Sequence, residues 1–107
     1  MEFAGRVAVV TGGGTGMGRE LVRQLAAAGC HVAACDVSDA ELAETARLAR
    51  AEATGGAKVA TGHADVADLA AVERFRDAAI AELGATCVHL VFNNAGIAGG
   101  GSFVRDD

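Results

Sequence analysis

The sequence predicts an α/β domain, a doubly wound parallel sheet of four strands in the order 3-2-1-4 with three helices. Three observations point that way. Short apolar runs alternate with segments of helical period along the chain. The first and last runs, Val7-Ala8-Val9-Val10 and Leu90-Val91-Phe92, are apolar almost throughout, which suits parallel strands covered on both faces. The first run also meets a glycine cluster, Gly12-Gly13-Gly14-Thr15-Gly16-Met17-Gly18, directly before a helical pattern.

Each element has its own justification. Residues 7–11 form the first strand. Met17, Leu21, Leu25 and Ala28 recur three or four apart and predict the buried stripe of the first helix, with Arg19, Glu20 and Arg23 opposite and Gly29 as the stop. Residues 31–36 form the second strand. Ser38 or Asp39 can cap the second helix, whose stripe would be Leu42, Ala46, Ala49 and Ala53, closed by Gly55-Gly56. Residues 58–63 form the third strand. Asp68 can cap the third helix, with Leu69, Val72, Phe75, Ala79 and Leu83 inward and Gly84 as its end. Residues 88–93 form the fourth strand, and the Gly99-Gly100-Gly101 run reads as a loop after it. Helical connections between strands imply right-handed crossovers and a parallel sheet. Helices one and two then share one face and helix three crosses the other alone, so the fourth strand is expected to be an apolar edge prone to self-association.

Composition narrows the function. At 107 residues the chain is one domain at most, residues 1–107, with no sign of a second. Hydrophobic residues make up 51% and charged residues 21%, a globular balance. A net charge of −5 with no basic stripe argues against nucleic acid. The longest apolar stretch, around Leu25 to Cys35, is broken by Gly29 and His31 and does not suit a bilayer. Met1-Glu2-Phe3-Ala4-Gly5-Arg6 is no signal segment, so a cytoplasmic location is expected. Cys30, Cys35 and Cys87 have no metal-ligand spacing, and no metal site is expected. Cys30 and Cys35, five apart, should point to opposite faces of the second strand, and reduced thiols are expected. The histidines at 31, 63 and 89 are scattered and read as strand-end residues.

A strand, a glycine loop and a helix in succession suit phosphate. Its oxygens need backbone N–H donors at close range, and the helix aims its positive end at the anion. The spacing of Gly12, Gly16 and Gly18 is T-G-x-x-x-G-x-G, and Asn93-Asn94-Ala95-Gly96 ends the fourth strand. With Asp36 at the end of the second strand and Asp65-Val66 after the third, the chain resembles the short-chain dehydrogenase/reductase family over residues 7 to 96. The resemblance implies a Rossmann-like fold and a nicotinamide dinucleotide cofactor.

It also implies roles. Gly12, Thr15, Gly16, Met17 and Gly18 would hold the pyrophosphate. Asp36 would accept from the adenosine ribose hydroxyls and repel a 2′-phosphate, and no basic residue stands at Thr15, Val37 or Ser38 to receive one. That points to NAD, with NADP disfavoured. Asp65 and Val66 would meet the adenine. Asn94, Ala95 and Gly96 would form the cofactor floor, while Asn93 braces the sheet. Each has a plainer reading as well: a glycine-rich turn, a strand-end Asp, a helix-capping Asp and an Asn-rich turn.

The family's chemistry uses a Ser and a Tyr-x-x-x-Lys set. This chain has no Tyr, its only Lys is Lys58, and Ser102 follows the Asn motif too closely. No catalytic residue is therefore assigned, and the fold is expected to be incomplete. The expected function is the NAD-binding portion of such an oxidoreductase. Its alternatives are a non-catalytic nucleotide-binding module and an inert truncation product.

Overall fold

The structure, a computed structural model, describes residues 3–94. Ala95, Gly96 and the 99–101 run lie outside the described residues. The elements run β1 (Val7–Thr11), α1 (Gly16–Ala27), β2 (His31–Asp36), α2 (Asp39–Glu52), β3 (Val59–His63), α3 (Leu69–Leu83) and β4 (Leu90–Asn93). All pairings are parallel and the sheet order is β3-β2-β1-β4, as the alternation predicts. Strands β3 and β4 start one and two residues later than the 58–63 and 88–93 expected. Among the described residues no helix is long and apolar enough to cross a membrane.

The pleat of the strands splits the core in two. Ala8, Val10, Val32 and Ala34 pack with α1 and α2, while Val7, Val9, Ala33 and Ala60 pack with α3. Cys30 belongs to the first cluster and Cys35 to the second, so the two thiols do lie on opposite faces. On the second face α3 packs over β2 and β3. The Cδ1–Cε1 edge of the Phe75 ring fills the space beside Gly62, where a Cβ would come within 2.6 Å of it.

Helix ends follow local chemistry. The Ser38 hydroxyl accepts from Glu41 N at 3.2 Å and Asp68 Oδ1 accepts from Ala71 N at 3.1 Å, so Ser38 is the cap of α2 and Asp68 that of α3. Gly84 closes α3 in the left-handed region at φ 71°, where a side chain would strain.

The stripe of α1 departs from the reading of its periodicity. Gly18, Val22, Leu25 and Ala26 are the buried residues, Met17 is 77% exposed, Ala28 is exposed and Leu21 half-buried. The cause lies in the loop before the helix. Gly18 is pressed so closely on the Gly12 carbonyl that a Cβ there would collide with it. Only glycine permits that approach, and the contact turns the helix so that positions four, seven and eight after Gly18 face the sheet. In α3 the stripe begins at Val72; Leu69, in the first turn, is 52% exposed.

Candidate functional site at the carboxyl ends of the strands

The β1–α1 loop is tied down on three sides. Gly12 N and Gly13 N both donate to the Cys35 carbonyl, at 2.9 and 3.1 Å. Gly14 N donates to Asp36 Oδ2 at 2.9 Å, and a Cβ at Gly14 would lie 2.8 Å from that same oxygen. From α2, the Thr45 hydroxyl reaches the Gly13 and Gly14 carbonyls at 2.8 and 3.1 Å. Gly16 takes φ +57° with open space around its Cα, so glycine is needed there for the backbone turn and not for room.

Helix α1 starts with its positive end uncompensated. Its N-cap, Thr15, makes no side-chain cap bond, and the first turn holds no acidic residue. The unpaired N–H groups of that turn remain available to an anion.

Asp36 stands at the end of β2, half-buried. Its Oδ2 accepts from Gly14 N and its Oδ1 from Val37 N at 2.7 Å. An ionised carboxylate has about four acceptor positions, so two are used and two remain. Next to it, burial and then the Asp36 charge push the Cys35 thiol up to about 11 from an ordinary 9.0.

The end of β4 is bound to β1 through a buried hydroxyl. Thr11 Oγ1 donates to Asn93 Oδ1 at 2.9 Å and accepts from Asn94 N at 3.2 Å. The Asn94 amide reaches back toward the Gly12 carbonyl at 3.5 Å. Asp65 is exposed after β3, and its Oδ1 accepts from Ala67 N at 2.9 Å in a local turn.

A cleft of about 350 Å³ crosses all these ends, lined by Gly12, Thr15, Asp36, Val37, Ala64, Asp65, Val66 and Asn94. It brings six of the sequence-predicted residues into one wall. Gly16 shapes the turn beside it, and Gly18 lies behind it as packing. Met17 is elsewhere: it lines a second depression of about 410 Å³ between α1 and β4, with Leu21, Val91 and Phe92. Asn94 borders both. The imidazoles at the opposite end of the sheet are structural acceptors, His31 Nδ1 for Lys58 N and His89 Nδ1 for Val7 N, each at 3.0 Å.

Sequence reasoning missed Thr45 and undervalued Thr11. Both are fully buried polar residues. A signal existed for Thr45, since it sits three residues after Leu42, on the edge of the stripe assigned to α2.

Residues 6–107 match the family model for short chain dehydrogenases. The chain belongs to this family. It is 45% identical over 106 residues, 99% of its length, to SadH of Mycobacterium tuberculosis, of which it spans 37%. It is 41% identical over 98 residues, 92% of its length, to levodione reductase of Leifsonia aquatica, of which it spans 36%. A crystal structure of levodione reductase superposes with a TM-score of 0.79 at 38% identity, covering 89% of this chain and 36% of that one. A short chain dehydrogenase/reductase from Burkholderia phymatum, in complex with NAD, gives 0.74 at 38% identity, covering 85% and 31%. The chain thus spans little more than a third of the length of SadH and of levodione reductase. It corresponds to the cofactor-binding portion of the short-chain dehydrogenase/reductase fold, which uses a nicotinamide dinucleotide.

Proposed function

We propose that the chain binds NAD across the 350 Å³ cleft, as the cofactor-binding portion of an NAD-dependent short-chain oxidoreductase. The observation that carries this is the convergence of the glycine loop, the Asp36 carboxylate, Asp65-Val66 and Asn94 on one cleft at the carboxyl ends of the strands. Gly12, Thr15 and Gly16 provide the pyrophosphate cradle and Gly18 its close helix packing, while Met17, whose side chain lines the other depression, contributes only through its place in the first turn of α1. Asp36 receives the adenosine ribose hydroxyls on its two open acceptor positions. Asp65 and Val66 flank the adenine, and Asn94 continues the floor, with Ala95 and Gly96 assigned to the cofactor by the family resemblance alone. In the whole protein the bound nicotinamide would exchange a hydride with a carbinol or carbonyl carbon. Three free cysteines suit a reducing compartment, and a cytoplasmic location is part of the proposal.

NAD is favoured over NADP because the cleft lining holds two carboxylates and no Lys or Arg. The neighbouring cation, Arg19, is held in an ion pair with Glu41 at 2.9 Å. A 2′-phosphate set about 4 Å from Asp36 would cost roughly 1–4 kcal/mol, depending on the local dielectric. Calorimetric titration of the wild type should show NAD⁺ binding more tightly by about 5-fold to 10³-fold, and Asp36→Ala should shrink that gap. Equal affinities in the wild type would remove Asp36 from the ribose site, and no uptake of either would overturn the reading.

A further inference from the structure

Thr45 is an anomaly in α2. It is fully buried beside Leu42, Ala46 and Ala49, yet it carries a hydroxyl. That hydroxyl faces two consecutive carbonyls of the glycine loop, Gly13 at 2.8 Å and Gly14 at 3.1 Å. Arg19 Nε donates to the same oxygen at 2.9 Å, while the other end of its guanidinium is held by the Glu41 carbonyl and carboxylate at 3.0 and 2.9 Å. A hydroxyl has one proton and two lone pairs. Arg19 takes a lone pair, which directs the proton to the loop.

The consequence lies in the peptide planes. A trans peptide unit carries its C=O and its N–H on opposite sides, and no cis bond occurs among the described residues. Two carbonyls turned toward Thr45 therefore turn the N–H groups of Gly14 and Thr15 away from it. The Gly14 N–H meets Asp36 Oδ2, and Thr15 is part of the cleft wall.

We infer that Thr45 is a positioning residue for the dinucleotide site: oriented by Arg19, its hydroxyl sets the two peptide planes that aim the Gly14 and Thr15 amides. The inference deepens the NAD-binding reading and rests on it. Thr45 itself touches no ligand, being closed off behind the loop.

The test compares Thr45→Val, Thr45→Ser and Arg19→Met in the 107-residue chain, by amide hydrogen exchange and by calorimetric titration with NAD⁺. T45V keeps the side-chain shape and loses the hydroxyl. It should speed exchange across residues 13–16 by about tenfold relative to amides of β2 and α3, and weaken NAD⁺ binding by about tenfold. T45S restores the hydroxyl and should stay within about twofold of the wild type in both. R19M leaves the hydroxyl but removes the donor that orients it, and should shift both readouts in the same direction by less. A folded T45V that matches the wild type in loop exchange and NAD⁺ affinity would overturn the inference, as would a loss in T45S equal to that in T45V. If T45V does not fold, unchanged loop exchange in R19M overturns it. A wild type that takes up no NAD⁺ would instead overturn the dinucleotide reading, and loop exchange then decides the role of Thr45 alone.

Discussion

β1 and β4 lie side by side in one sheet, and their sequences, Val-Ala-Val-Val-Thr and Leu-Val-Phe-Asn, are similarly apolar. All five residues of β1 are buried, while all four of β4 are only half-buried. β1 has a strand on each side, α1 against one face and Val72, Ala79 and Leu83 of α3 in the cluster on the other. Among the described residues β4 pairs only with β1 and has no strand on its far side. On one face, Leu90 and Phe92 merely flank the core, beside the depression that separates β4 from α1. Apolar character therefore marks a strand that can be buried on both faces; which strand is buried depends on the neighbours that reach it.

A charge at paired positions should separate the two strands most strongly. Val9 and Val91 are direct partners on the same face. Val9→Asp places a carboxylate in a fully buried site and should cost roughly 3–5 kcal/mol, much of a small domain's stability. Val91→Asp should cost less than about 2 kcal/mol, because water reaches the half-buried site. Urea unfolding of both variants decides it, and equal losses would erase the distinction between the strands.

The thiols differ in the same way. Cys30 and Cys35 are buried against β1, whereas Cys87, just before β4, is exposed. A thiol reagent near neutral pH should modify Cys87 at once and the other two about 10²-fold more slowly, since they react only when the fold opens. Three equally fast thiols would show that the β1 side is open too. The same burial carries a pH dependence. Cys35 is raised from 9.0 to about 11, so the unfolded chain loses this proton first as pH rises. Its contribution to stability is complete below about pH 9 and falls by up to about 2–3 kcal/mol by pH 11. Cys35→Ser should flatten that decline in an unfolding series, and an unchanged slope would assign it to other groups.

Two glycines beside the cleft should separate steric from conformational cost. Gly18→Ala drives a Cβ into the Gly12 carbonyl and should lose about 1–3 kcal/mol, with a displaced loop. Gly16→Ala meets nothing but must hold φ +57°, at about 1–2 kcal/mol. Thermal melts would rank them, and G16A as the more damaging change would contradict the close contact at Gly18.

The smallest effect concerns association. Through β4, an edge strand among the described residues, the chain should self-associate weakly, and Val91→Lys should lower light scattering and hydrophobic-dye uptake about twofold. A monodisperse wild type with no dye signal would mean that β4 is already covered.

Legible in the sequence alone were the element order, the cap at Asp68, the choice of Ser38 or Asp39 at the start of α2, the stop at Gly84 and the opposite facing of Cys30 and Cys35. These rest on short-range chemistry: capping oxygens, left-handed glycines and the period-2 pleat act within a few residues of where they are read. The family resemblance carried by the glycine spacing, Asp36, Asp65-Val66 and the Asn motif likewise implied six residues that share one cleft. Tertiary structure decided the rest. Helical period alone allows α1 to bury Met17 and Leu21 or Gly18 and Val22, and the contact of Gly18 with Gly12 selects the second pair. The hydroxyls of Thr11 and Thr45 gain their meaning from carbonyls and amides 31 to 83 residues away. The half-burial of β4 is set by which elements reach it. No local pattern carries that information, because a side chain's environment is made of residues distant in sequence and adjacent only once the sheet has formed.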